Sequence, residues 1–428
     1  MTVVEDGGGM RIVVHDYAGH PFQVQLSRSL AVRGHDVLHL HAAGFQTPKG
    51  PLERRVDDPP TFGVEGIDIG EPFRKYSFAR RLLQERRYGG LLADRIAAFD
   101  PDVVISANSP LDVQAAAEAQ AHRADAAFVF WIQDIYSVAI DRILGKRLPF
   151  FGRIAAARFN RLERRLLRDS DAVVAITEDF LALLDRWGVP SDRITVVENW
   201  APLDGVTPLP KTNAWSIEHR LTDASVLLYA GTLGLKHDPS LLLALAHELP
   251  DSTVVVISEG LGADWLRDRA ATQRNLVLLP FEPFERLSEV LASADVLLVI
   301  LEPDAGVFSV PSKVLTYLTA SRPILGAIPH QNLAARTIKR IGAGQVVEPG
   351  DVQGFVAAAR RLLDDPVSRD AAGRAGRAYA EGAFDIGRVA DRFETILRDG
   401  IRARQQNASV VGVRASIPPS TPRPEAMG

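Results

Sequence analysis

The feature that most constrains this chain is an alternation, repeated in its two halves, of short apolar runs with amphipathic stretches. In the first half the runs are RIVVH, DVLHLH, DVVIS, AAFVFWI and AVVAIT; in the second they are SVLLYAG, TVVVISE, NLVLLPF, DVLLVIL, PILGAI and GQVVEP. Runs this short and this rich in Val and Ile predict parallel strands buried on both faces. The stretches between them predict helices. Over residues 21–33, Phe22, Leu26 and Leu30 share one face and Gly34 supplies the stop. The periodicity lapses at ENWAPLDGVTPLPK, residues 198–211, where Pro202, Pro208 and Pro210 interrupt it. The class is therefore α/β, with two Rossmann-like doubly wound domains facing a central cleft and ligands at the carboxyl ends of the strands.

At 428 residues the chain is long enough for two such domains, each with its own core. A net charge of −4 gives no reason to expect nucleic acid as a partner. The absence of cysteine excludes disulfides, thiolate nucleophiles and Cys-ligated zinc. No apolar run is long enough to span a bilayer, and MTVVEDGGG lacks the basic and apolar regions of a secretory signal. A cytoplasmic location is expected.

Residues 302–323, EPDAGVFSVPSKVLTYLTASRP, follow the strand-like ADVLLVIL and run into the helix-like VLTYLTA through Pro311, Ser312 and Lys313. A strand, a loop of small residues and a helix start carrying Ser and Lys suit an oxyanion or phosphate. Free N–H groups and the positive end of the helix dipole point outward there, and Lys313 adds a mobile cation.

HDYAGHPFQVQLSRSLAVRGHDV, WIQDIY, VPSDRITVVENW, YAGTLGLKHDP, LLPF, ADVLLVILEPDAGVFSVPSKVLTYLTASRPIL and GAGQVVEPGD follow one another in an order and spacing that resemble the retaining GT-B glycosyltransferases of bacterial polysaccharide and glycolipid synthesis. More narrowly, the chain resembles the colanic-acid-type exopolysaccharide transferases. The resemblance runs from Met10 to about residue 400. It implies an acceptor-binding domain over residues 10–203 and a nucleotide-sugar-binding domain over 212–384. A C-terminal helix over 385–405 is expected to pack back on the first domain. Residues 406–428, rich in Ser, Pro and Arg, predict a disordered tail.

The resemblance also distributes roles. The loop holding Gly19 and His20 would face the cleft, or be a plain strand-to-helix turn. Asp134, just past the strand ending in FVFWI, would accept the acceptor's proton or hold a sugar hydroxyl; its alternative is to cap the following helix. Gly231, Thr232, Lys236, Ser312 and Lys313 would hold the donor diphosphate, with a solvated loop lysine as the other reading of Lys236. Many relatives carry arginine where this chain has Thr232. Much of the family has a glutamate pair at the positions of Phe308 and Thr316. Here Thr316 is left to hydrogen-bond a ribose, and Asp304, Ala305, Gly306 and Val307, with Glu302 nearby, are candidates for the donor sugar. Glu259, Pro280, Phe281 and Glu282 mark the nucleotide end, although Phe281 equally suits the core.

No metal is expected. Asp169 and Asp171 precede their strand and read as a helix-to-strand turn, and His39 and His41 share a strand face without a third ligand. No cofactor is expected beyond the nucleotide-diphosphate sugar as donor substrate. Two basic stretches, residues 74–87 and residues 146–168 with Phe150, Phe151 and Phe159 interleaved, suit either an anionic membrane surface or a solvated helix face.

The implied activity is metal-independent transfer of a sugar to a glycan or polyprenyl-diphosphate-linked acceptor, with retention, for exopolysaccharide or cell-surface glycan synthesis. The enzyme would sit in the cytoplasm or on the inner face of the membrane. A nucleotide-sugar epimerase of the same fold would alter the donor with no acceptor present. A non-catalytic partner would bind nucleotide sugar or glycan without transfer.

Overall fold

The computed structural model describes residues 8–44, 52–72, 78–138, 140, 151–234, 237–270, 273–304 and 309–415. The first domain is a parallel sheet of β1 (Arg11–Asp16), β2 (Asp36–Ala42), β3 (Phe62–Ile67), β4 (Val103–Ala107), β5 (Ala127–Ile132), β6 (Ala172–Ala175) and β7 (Ile194–Val196), in the order β3-β2-β1-β4-β5-β6-β7. The second sheet holds β8 (Ser225–Ala230), β9 (Ser252–Ile257), β10 (Leu276–Leu279), β11 (Val296–Ile300), β12 (Ile324–Ala327) and β13 (Gly344–Val347), in the order β10-β9-β8-β11-β12-β13. Every strand pairing is parallel. Each sheet reverses direction of winding once, at β1/β4 and at β8/β11, and crevices open at such points.

Central strands are buried throughout. All residues of β4, β5 and β11 are inaccessible, because helices cover both faces. β3, with Gly63 and Gly66 interrupting a short apolar pattern, and the three-residue β7 are edge strands that the sequence pattern passes over.

The segment between the domains is anchored to the first. Trp200 is buried, stacked on Trp131 at 5.9 Å between ring centres and edge-on to Phe22 at 5.3 Å. Its indole N–H donates to Gln25 Oε1 at 2.8 Å.

Phe393, from the helix Ile386–Ala415, lies 4.7 Å from Trp131. This helix leaves the second domain and lies against the helix Pro21–Val32 and β5 of the first. Arg33 donates to Asp391 at 2.6 Å and to Glu394 at 2.8 Å. His35 accepts from the Met10 N–H at 3.0 Å on Nδ1, so its Nε2 carries the proton given to Glu394 at 2.6 Å. The helix continues to Ala415, so residues 406–415 are helical where a tail is expected from position 406. The physical reason is in the sequence: the prolines of that segment begin at Pro418, and the one glycine before them, Gly412, is tolerated within the helix.

Candidate functional site

The strand ends at the two switch points face one another across a cavity of about 410 Å³. The first domain contributes His20, Asn108, Gln133, Asp134 and Asn199, and the connecting segment adds Trp200, Ala201 and Pro202. The second contributes Gly231, Thr232, His237, Phe281, Glu282, Ser309, Ser312, Lys313 and Thr316.

The turn after β8 is built for close approach. Gly231 has φ 133°, a left-handed conformation that suits glycine, and a Cβ there would meet Lys313 Cε and Nζ at 3.2 Å. Its N–H donates to the Ile257 carbonyl at 2.9 Å. Leu233 is pinned to the neighbouring strand end by its N–H to Ser258 Oγ at 3.0 Å, and its carbonyl accepts from the Gly262 N–H at 2.9 Å. A side chain on Gly262 would come within 2.8 Å of Leu233 Cβ. The loop is thus held against β9 and the start of the helix Leu261–Arg269.

Two tyrosines bring Lys313 to that turn. Tyr317, on the helix Lys313–Thr319, accepts from the Ala230 N–H at 2.9 Å and donates to the Ala230 carbonyl at 3.1 Å, closing the end of β8 with a side chain. Tyr229 donates its hydroxyl to the Thr232 carbonyl at 3.0 Å and accepts from Lys313 Nζ. Among the described residues no carboxylate pairs with Lys313. Burial lowers its pKa to about 7. The site therefore holds a cation that its own surroundings disfavour and that an anion would restore.

On the opposite wall, Asp134 follows β5 in the bend that leads into Tyr136 and Ser137. Their N–H groups donate to Glu163 Oε1 and Oε2, each at 2.9 Å, from the helix Phe151–Asp169. Burial raises the Glu163 pKa to about 7 despite these bonds. Gln133 and Asn199 form a reciprocal amide pair at 2.5 and 3.3 Å. His20 begins the helix Pro21–Val32 after Gly19, whose φ of 76° turns the chain.

The expected site residues divide clearly. His20, Asp134, Gly231, Thr232, Phe281, Ser312, Lys313 and Thr316 line the cavity. Asp304, Glu259 and Pro280 are exposed and are not in its lining, and Gly19 is buried beside His20 and is not in the lining either. Lys236, Ala305, Gly306, Val307 and Phe308 lie outside the described residues. Among the described residues no group of three His, Asp or Glu is placed to hold a metal ion. Asp171 accepts from the Phe128 N–H at 2.9 Å and binds His122 at 3.2 Å, which makes it a structural turn residue. Asn108, Gln133 and Asn199 are not legible in the sequence, since neutral amides at strand ends have no pattern, whereas Glu282, expected at the nucleotide end, does line the cavity. Glu282 accepts from the Trp215 indole at 3.0 Å.

Residues 20–200 match the family model of a glycosyl transferase 4-like domain. The glycogen synthase of Mycobacterium tuberculosis is 26% identical over 403 residues, 89% of this chain and 91% of that protein. Sucrose-phosphate synthase from Thermosynechococcus elongatus has a similar structure, with a TM-score of 0.70 at 14% identity over 92% of this chain and 100% of that one. The HepE protein of Anabaena in complex with UDP-glucose has a TM-score of 0.63 at 13% identity, over 94% and 100% of the two chains. The chain therefore has the two-domain α/β architecture of the GT-B fold, and its first domain is similar to glycosyl transferase 4-like domains.

Proposed function

We propose that the protein moves a sugar from a nucleotide-diphosphate sugar to a glycan or lipid-linked acceptor, with retention and without a metal, in exopolysaccharide or cell-surface glycan synthesis. The observation that carries this reading is the contact between the Gly231 turn and Lys313, facing a polar wall from the other domain. In the reaction the bond between the anomeric carbon and the diphosphate oxygen breaks, and its electron pair leaves with the diphosphate. The acceptor oxygen bonds to the same carbon. Its proton passes to a leaving-group oxygen or to Asp134. Charge on the diphosphate is met by Lys313, which the turn and its two tyrosines hold in place before reaction. The cleft orients both partners and excludes water. Retention and the exopolysaccharide role rest on the sequence resemblance.

We also propose peripheral association with an anionic membrane. The helices Phe78–Phe99 and Phe151–Asp169 both pack on Leu111–Arg123. Each exposes an apolar residue, Leu83 at 66% and Ile154 at 60%. Arg80, Arg86 and Arg87 surround Leu83 at helical spacing, and Arg158 and Arg161 follow Ile154. Among the described residues no helix is long and apolar enough to cross a membrane.

The test is mass spectrometry of products from UDP-glucose and GDP-mannose, each incubated with extracted polyprenyl-linked glycans. Transfer with retained anomeric configuration is expected. A changed sugar from donor alone would instead identify an epimerase, and binding without any transfer would identify a non-catalytic partner. Flotation with anionic liposomes at moderate salt tests the membrane reading, and failure to float counts against it.

A further inference from the structure

Asp16 ends β1 wholly buried, and the polypeptide wraps donors around it. Its carboxylate accepts from the Ala18 N–H at 3.1 Å and from the His20 N–H. The Gln23 side-chain nitrogen reaches both oxygens, at 2.6 and 2.7 Å, in the amide orientation that satisfies the network. Burial pushes the carboxyl's pKa up, but a protonated His20 and the hydrogen bonds from its ring and N–H outweigh it and hold the group below the usual carboxylate range, and the hydrogen bonds persist when the ring is neutral. Asp16 is therefore an anion with nothing to donate.

His20 Nδ1 lies 3.4 Å from Asp16 Oδ1 and 3.2 Å from the Asn108 amide. Facing an acceptor-only carboxylate, Nδ1 carries a proton; the Asn108 amide nitrogen, which lies toward Nδ1 and 3.5 Å from the Gln23 Oε1 position, must then exchange places with its oxygen, in step with the Gln23 orientation above. In the neutral ring Nε2 is then a bare lone pair. Nε2 has no hydrogen-bond partner among the described residues, and His20 lines the cavity. The charged neighbour is Asp16 on β1, whose own field includes His39 on β2, a ring that burial keeps neutral with a pKa of about 4. Gln23 and Phe22 from the following helix and Asn108 after β4 are uncharged.

We infer that Asp16 fixes His20 as a hydrogen-bond acceptor toward the cleft, and that Nε2 takes the hydroxyl proton of a sugar into a hydrogen bond. The polarity selects the ligand. A diphosphate offers acceptors and would need the opposite tautomer, whereas a sugar hydroxyl offers the donor that a bare imidazole nitrogen lacks. The inference rests on the sugar-transfer reading and adds a specific contact to it. Donor and acceptor sugars both present hydroxyls, so the experiment separates them.

In protein labelled with ¹⁵N-histidine, long-range proton–nitrogen spectra at alkaline pH report the tautomer, with His20→Gln assigning the signal. A protonated Nδ1 and bare Nε2 are expected; a protonated Nε2 overturns the inference whatever the substrate. Kinetics then compare His20→Phe, which keeps a ring but no acceptor, with His20→Gln, which restores an oxygen. Using UDP-glucose and GDP-mannose, His20→Phe should lose about 10- to 100-fold in turnover, and His20→Gln should recover part of it. Loss already present in acceptor-free donor hydrolysis assigns the contact to the donor sugar, and loss in transfer alone assigns it to the acceptor. Undiminished turnover in His20→Phe, or no recovery in His20→Gln, overturns it. Should the unmodified enzyme consume neither nucleotide sugar, that donor range fails, while the spectra still decide the state of His20.

Discussion

Lys313 places its ammonium 3.7 Å from the centre of the Tyr229 ring and donates to the hydroxyl of that tyrosine. The ring and a neutral phenol soften the desolvation of the cation without neutralising it. Burial consequently leaves Lys313 with a pKa of about 7, well below that of an ordinary lysine.

A bound diphosphate should reverse that shift, because a nearby anion favours the ammonium. Nucleotide binding at pH 8 is therefore expected to take up a proton, seen as binding heats that differ between buffers of different ionisation enthalpy. Identical heats would contradict the assignment. Lys313→Met should weaken nucleoside-diphosphate binding by about 1.5–3 kcal/mol, ~10- to 150-fold, the range of a charge-assisted hydrogen bond. In the ligand-free protein the sign runs the other way. The folded state binds fewer protons than the unfolded chain between pH about 7 and the ordinary lysine value of 10.5, so Lys313 makes stability rise with pH across that window. Lys313→Met should remove this rise.

Asp134→Asn keeps shape and removes charge. If Asp134 takes the acceptor proton, the rate of transfer should fall by about 100-fold or more, with nucleotide affinity by calorimetry unchanged. Transfer at the rate of the unmodified enzyme would remove both the base and the charge-dependent sugar contact.

The sequence made the sheets legible because their central strands are buried on both faces. VVISA, AFVFWI and VLLVI leave no other reading of their apolar runs. The edges were less visible, since Gly63 and Gly66 dilute β3 and β7 has only three residues. In the site, Gly231 and Lys313 stood out by residue type. Tyr229 and Tyr317 did not, because a tyrosine inside an apolar run reads as core until its hydroxyl is seen bonding to the turn. Asn108, Gln133 and Asn199 became recognisable only when the fold gathered strand ends far apart in sequence.

Glu163 supports Asp134 from behind through the Tyr136 and Ser137 N–H groups. Glu163→Gln turns an amide N–H toward one of those donors. It should destabilise the protein by about 1–3 kcal/mol, and lower transfer more than nucleotide binding. Burial raises the folded pKa to about 7 from the ordinary glutamate value of 4.5, so the folded state binds more protons than the unfolded chain in that interval. Its contribution to stability is fully present below pH 4.5 and is lost as pH rises through about 7. Glu163→Gln should flatten that part of the dependence of Tm on pH; an unchanged profile would show that Glu163 titrates elsewhere.

Asp179, after β6, accepts from both sides of the cleft's outer rim: the Thr177 hydroxyl at 3.0 Å and, from the other domain, Arg336 at 3.0 and 3.1 Å. This two-pronged contact joins the domains away from the cavity, and its loss should favour opening. Both side chains are over 40% exposed, so the coupling should be only about 0.2–1 kcal/mol and should vanish near 1 M salt. The chain has no cysteine, so one introduced into each domain accepts dyes without background, and energy transfer between them reads closure. Asp179→Ala and Arg336→Ala should each shift the population toward the open form, and the double variant should open no further than either alone. Additive effects, or a shift that persists in high salt, would mean that the two residues act independently and that closure is held by the buried contacts around Trp200.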